Sequence, residues 1–175
     1  IRQIKNLLSI PVIGNGNILS REEAFHMQDK TGVDGLMVSR GALGNPWLFR
    51  QIKEKNFEVD LDIWLSGVLQ HIAWQAKAYE KPEQARFAAV CMRKHILWYV
   101  KGWPKARFIR DKINKLDDIK FAKEIILEFA SVLKDSDSGL FIRRTTEENC
   151  EGRFTWDPKF EMDRSYDRAV CSDHL

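Results

Sequence analysis

Residues 11–49 read PVIGNGNILSREEAFHMQDKTGVDGLMVSRGALGNPWLF, and this stretch limits the folds open to the chain more than any other. Two short apolar runs, residues 11–13 and 35–38, each end in a turn of small residues. Gly14-Asn15-Gly16-Asn17 follows the first and Ser39-Arg40-Gly41-Ala42 the second. Between them Ser20-Arg21-Glu22-Glu23 has the form of a helix start and Thr31-Gly32 that of a helix stop. The result is a strand–loop–helix–strand–loop unit with glycine-rich turns at the carboxyl ends of both strands. In a (β/α)8 barrel, the loops after the last two strands commonly hold a phosphate. Glycines let backbone N–H groups approach an anion, and Arg40 can add a full charge and a planar fork.

At 175 residues, with 44% apolar and 30% charged side chains, the composition is that of an ordinary globular protein. No apolar run approaches the roughly 20 residues that span a bilayer, so no membrane association is expected. The opening Ile-Arg-Gln-Ile-Lys lacks an initiator Met and does not resemble a signal peptide. It reads as the end of an amphipathic helix. Two βα units do not close a barrel, so the chain is expected to lack an N-terminal barrel portion. Cys91, Cys150 and Cys171 lie far apart without CxxC spacing, and His26, His71, His95 and His174 lack metal-ligand spacing. A reducing cytoplasm and no metal site are the expectations.

Charge is unevenly distributed along the chain. Residues 81–115 hold ten basic and two acidic side chains, a net +8, between a neutral segment before and an acidic one after. Such a block fits a surface for a polyanion, and a solvated helix face fits it equally well.

The α/β texture runs to about residue 55, where Gly44-Asn45-Pro46 leads into a short helix starting at Trp47-Leu48-Phe49. Helical spacing then takes over. Asp62 is the candidate N-cap of a helix over 63–79, with Trp64, Val68, His71 and Ile72 near one face. Lys81-Pro82-Glu83 separates it from a second helix over 83–101. A third over 105–113 and a fourth over 119–133 complete a small bundle. Residues 134–175 show no periodicity and are expected to be an extended or disordered tail.

Projected at about 100° per residue, the second helix is two-faced. Arg86, Arg93, Lys94 and Lys101 fall on one arc, and Ala88, Cys91, Met92, His95, Trp98 and Tyr99 on the other. His95 therefore reads as a core histidine. The outward cations, continued by Lys105, Arg107 and Arg110, suit the phosphate backbone of a folded RNA, which they would position without reading its sequence. Trp64, Trp74, Trp98 and Trp103 each sit among apolar residues and are expected in the core.

With IGNGNI, GVDGLMVSRGALGNPWLF and RKHILWYVKG in one order, the chain resembles the tRNA-dihydrouridine synthases, with most likeness to the bacterial B-type subfamily, over residues 1–133. The resemblance implies the C-terminal βα units of an FMN-binding (β/α)8 TIM barrel over residues 1–55, followed by a helical tRNA-binding domain over 62–133. It also implies NADPH-dependent reduction of a uridine C5–C6 double bond to 5,6-dihydrouridine in tRNA. Asn15, Gly16 and Asn17 match the family's first FMN-phosphate loop, and Ser39 and Arg40 the second. The family usually has Asp where Asn17 stands and often Gly where Ser39 stands. Its catalytic cysteine, lysine and histidine belong to upstream strands, so no catalytic residue is assigned in this chain, and catalysis by the chain alone is not expected. A monomer is expected for the complete protein. Two other readings compete: another phosphate-binding TIM-barrel flavoenzyme, and a non-catalytic RNA-binding helical module.

Overall fold

The structure is a computed structural model describing residues 1–103 and 105–135. The tail expected over 134–175 begins inside the last described helix, at Lys134 and Asp135, and the rest of it lies outside the described residues.

The amino-terminal part follows the expected order: helix α1 (Arg2–Leu7), strand β1 (Ile13–Asn15), helix α2 (Arg21–Thr31) and strand β2 (Gly35–Met37). The strands are parallel, with Ile13 opposite Gly35, Gly14 opposite Leu36 and Asn15 opposite Met37. β1 starts at Ile13 and continues through Gly14 and Asn15, where the sequence pointed to a strand over 11–13 and a turn. Gly14 is buried beneath Val33 and Met27 of α2, whose Cγ2 and Cγ would lie 3.0 and 3.4 Å from any added Cβ, so the strand passes under α2 at a residue without a side chain.

Helix α2 has the local chemistry read from its sequence. Ser20 Oγ accepts from the Glu23 N–H at 3.2 Å, and Glu23 Oε2 accepts from the Leu19 N–H at 2.7 Å. Together they satisfy two donors at the helix entrance. Asp34 has a role that local patterning did not reveal. Its carboxylate pairs with Lys5 Nζ at 2.7 Å and accepts from the Val12 N–H at 2.7 Å, fastening α1 to the start of both strands. These contacts, the Lys5 bond first, hold the Asp34 carboxyl below its ordinary value.

A 3-10 turn at Arg40–Ala42 and helix α3 (Leu48–Lys53) lead to the bundle: α4 (Leu61–Ala78), α5 (Ala85–Val100), α6 (Ala106–Asn114) and α7 (Ala122–Asp135). α4 is capped by Asp60, whose Oδ1 accepts from the Ile63 N–H at 2.7 Å, so Asp62 lies in the first turn and is not the cap. Buried Val59 draws the chain into the core just before Asp60 and fixes that entry point. Trp64, Val68 and Ile72 of α4 pack with Met92, Ile96 and Tyr99 of α5, Ile109 and Ile113 of α6, and Ile126, Phe129 and Leu133 of α7. Trp64 is central: its Nε1–H donates to the Tyr99 carbonyl at 3.1 Å, and its ring lies 5.1 Å from Trp103 and 6.0 Å from Phe129.

The tryptophans divide. Trp64 and Trp103 are buried and Trp98 is half-buried, whereas Trp74 is 65% exposed, against the expectation that it is core. At 100° per residue it points about 200° away from Ile72, on the side of α4 that carries Gln70 and Lys77.

Candidate phosphate-binding cleft and basic helical face

The loop after β1 and the loop after β2 meet. Gly41 is the point of closest approach: a Cβ there would lie 2.1 Å from the Ile18 carbonyl oxygen and 2.8 Å from Leu48 Cδ2, so any side chain would force the loops apart. Around this contact is a cleft of about 250 Å³, lined by Asn15, Gly16, Asn17, Ile18, Leu19, Ser39, Arg40 and Gly41. All five residues singled out in the sequence for phosphate line it. No carboxylate does. Arg40 Nη2 donates to Asn17 Oδ1 at 3.0 Å, so the two loops are also joined by their side chains.

The volume lies below the roughly 300 Å³ at which complete small-molecule pockets begin, which is the scale of a subsite. Its donors (a guanidinium, a serine hydroxyl and two carboxamides) match the acceptor-only oxygens of a phosphate. The lining therefore fits the phosphate end of a cofactor.

The cations of the bundle fall into two classes. Arg86, Lys94 and Lys101 on or just after α5, and Lys105, Arg107 and Arg110 at α6, are exposed. Arg93 is not part of that outward set. It is half-buried, and its Nε and Nη2 both donate to the Leu116 carbonyl, at 2.8 and 2.5 Å, tying α5 to the segment after α6. A helical projection cannot see this, because the acceptor is 23 residues away. Phe108, 52% exposed between Arg107 and Ile109, was not singled out in the sequence; Lys112 Nζ lies 5.2 Å from its ring centroid.

His95 is half-buried, as its place on the apolar arc indicated. Its ring lies 4.9 Å from that of His71 and 5.3 Å from that of Trp98, and His71 Nδ1 is 3.1 Å from the Tyr99 hydroxyl. Burial, then repulsion from His71 and Lys94, pushes His95 down to about 4, and burial lowers His71 as well. Both rings are neutral near pH 7. Among the described residues no group of His, Cys, Asp and Glu could hold a metal ion, and no helix is long and apolar enough to cross a membrane.

Comparison with known proteins decides the family. The family model for dihydrouridine synthase matches residues 1–134. The chain belongs to the dihydrouridine synthase family. It is 37% identical over 154 residues to tRNA-dihydrouridine synthase B of Pasteurella multocida strain Pm70, covering 83% of this chain and 44% of that protein. It is 35% identical over 142 residues to tRNA-dihydrouridine synthase B of Pseudomonas syringae pv. tomato, covering 75% and 40%. The B-type enzyme of Pseudomonas aeruginosa is 34% identical over 146 residues, covering 80% and 43%. The chain thus spans less than half the length of these curated relatives. Among the dihydrouridine synthases its likeness is to the B type.

Proposed function

We propose that this chain contributes the cofactor-phosphate loops and the RNA-holding helices of a flavin-dependent tRNA-dihydrouridine synthase. One observation carries the reading: the loops at Asn15–Asn17 and Ser39–Arg40 converge on one carboxylate-free cleft with a guanidinium held across it. In this reading residues 1–55 are the closing βα units of a (β/α)8 barrel and residues 62–133 a helical tRNA-binding domain. Two parallel strands do not close a barrel, so further strands are required, and relatives of more than twice the matched length have room for them.

Bound FMN supplies the hydride for reduction of uridine to 5,6-dihydrouridine, with NADPH as the source of electrons. The chain's own residues bind and orient. Arg40 and Ser39 donate to phosphate oxygens from one loop, and Asn15, Gly16 and Asn17 line the opposite wall. Arg86, Lys94, Lys101, Lys105, Arg107 and Arg110 offer charge to the tRNA backbone, fixing its position while the target base is turned out of its stack. Proton transfer to the uracil ring is assigned to no residue of this chain. The reading places the protein in the cytoplasm, where tRNA is found, and treats the complete enzyme as a monomer.

Titration of the purified protein with FMN, followed by flavin absorbance and fluorescence, tests the cofactor assignment. A red-shifted, structured flavin band that is lost in Arg40→Ala supports it. A protein that binds tRNA but leaves flavin spectra unchanged at millimolar concentration would instead be a non-catalytic RNA-binding module.

A further inference from the structure

Trp74 is the most exposed of the Phe, Tyr and Trp side chains among the described residues, at 65%, and neither the core nor the cleft uses it. A lone exposed leucine needs no explanation, but an indole fixed on an 18-residue helix presents a flat, preordered π-face to whatever lies outside. Its position on α4 is informative. Trp74 follows Gly67 by seven residues, which puts the two about 20° apart in projection and about 10 Å apart along the axis. Gly67 is where Trp47 seats its ring, and His71 lies between Gly67 and Trp74.

The rings of this flank form a chain. Trp47 meets Tyr99 at 6.1 Å, Tyr99 meets His71 at 5.8 Å, His71 meets His95 at 4.9 Å and His95 meets Trp98 at 5.3 Å. Trp74, three residues beyond His71, extends the flank of α4 past that chain. The charge here has one sign. Residues 63–79 and 85–101 contain no Asp or Glu. Exposed Lys77 is three residues from Trp74, and Lys94 is near enough to His95 to repel a proton from it. Asp62 lies at the far end of α4, beside Lys134, and Glu80 and Glu83 come after that helix has ended. A partner for this flank therefore combines a flat ring with negative charge.

We propose that Trp74 is a stacking platform for an unpaired nucleotide of tRNA, with Lys77 and Lys94 meeting the phosphates beside it. This rests on the reading of the bundle as RNA-holding. A paired base has its faces covered by its neighbours, so only a nucleotide in a loop or at an end can offer a face to the indole. Stacking adds affinity without reading sequence, because every base has a π-face. It also fixes what the lysines leave loose. Flexible ammonium groups hold a backbone in many orientations, whereas a ring laid on a ring leaves few. Trp74 is a positioning residue in this role. The flank it shares with Gly67 leads back through Trp47 to the turn that carries Arg40, so a nucleotide stacked there is held relative to the cleft as well as to the bundle.

The test measures binding of the full chain to unmodified tRNA and to a blunt RNA duplex by filter binding over a salt series, with sedimentation velocity on the same protein. Trp74→Ala is expected to weaken tRNA binding about tenfold with an unchanged salt slope, and to leave duplex binding unchanged. Trp74→Phe keeps a π-face and is expected to stay within about threefold of wild type for tRNA. A Trp74→Ala protein that binds tRNA as wild type does, while Lys94→Ala lowers the salt slope, overturns the inference and leaves the RNA-holding bundle standing. Equal losses for tRNA and duplex also overturn it, because no unpaired base is then involved. So does a wild-type dimer that Trp74→Ala dissociates, which would give the indole to a second copy of this chain. A wild-type protein without salt-dependent tRNA binding overturns the reading of the bundle itself and the inference with it.

Discussion

Gly44 lies directly against the main chain of α5 at Trp98: its φ is 69°, and a methyl group on its Cα would sit 2.3 Å from the Trp98 carbonyl oxygen. A second contact joins the same two regions. Trp47 packs edge-on against Tyr99 with ring centroids 6.1 Å apart, and its Cζ2 would lie 2.5 Å from a Cβ at Gly67 of α4. The segment that follows the Arg40 turn is thus seated on two helices of the bundle.

Gly44→Ala is expected to cost about 2–4 kcal/mol, combining a left-handed backbone with an unrelieved clash. Gly32 is the control. It has the same φ of 69° with nothing within 4 Å, so Gly32→Ala should cost only about 1–2 kcal/mol. Urea denaturation of both variants measures the difference. Equal losses would show that the Trp98 contact contributes nothing.

Arg93 and Lys94 are neighbours with opposite expected roles. Arg93→Ala should lose about 1.5–3 kcal/mol of stability, the range for a hydrogen bond from a charged donor, because it leaves the Leu116 carbonyl without its partner. Lys94→Ala should stay within about 0.5 kcal/mol of wild type. It should instead reduce the log–log salt slope of tRNA binding by about 0.7–0.9. An Arg93→Ala protein of normal stability with a reduced salt slope would restore Arg93 to the outward set.

His95 sets a pH dependence whose sign follows from its lowered pKa. Between about 4, its folded value, and 6.5, its ordinary one, the unfolded chain binds a proton that the folded chain refuses. Stability is therefore complete above pH 6.5 and declines as pH falls toward 4. His71, lowered by burial, adds to the same trend. Urea midpoints at pH 7.5, 6.0 and 5.0 should fall in that order, and the decline should be shallower in His95→Gln. A parallel decline in the variant would assign the effect elsewhere.

Trp64 and Trp74 share one helix and should respond very differently. Trp64→Ala should cost about 3–5 kcal/mol, as expected for a fully buried indole. Trp74→Ser should change stability by no more than about 0.5 kcal/mol. Thermal denaturation of the pair distinguishes them.

Local chemistry made much of this fold readable in advance. Ser20 with Glu23, the glycine at 32 and the Pro82 break all act within a few residues, so α2, α4 and α5 were legible to within a turn. Placement of Asp60 as the cap depended on Val59 entering the core, which two similar aspartates in sequence do not reveal. Asp34 and Arg93 were illegible for a related reason, since Lys5 and Leu116 are 29 and 23 residues from them. Trp74 is a different case. The spacing of Trp64, Val68 and Ile72 excludes it from their face, and apolar neighbours along the sequence do not fix which face of a helix a residue occupies. The cleft residues were legible because glycine-rich turns after two strands separated by one helix are brought side by side by parallel pairing.

The seating of Gly44 and Trp47 on α4 and α5 has a bearing on protein engineering. A chimera that exchanges the helical bundle for that of a relative, cut at the apparent linker over residues 56–61, would separate both glycine contacts from the helices that evolved against them. The serviceable splice point lies between Gly41 and Gly44, which leaves Arg40 with Asn17 and Gly41 with Ile18 while Gly44 and Trp47 travel with the bundle as one graft.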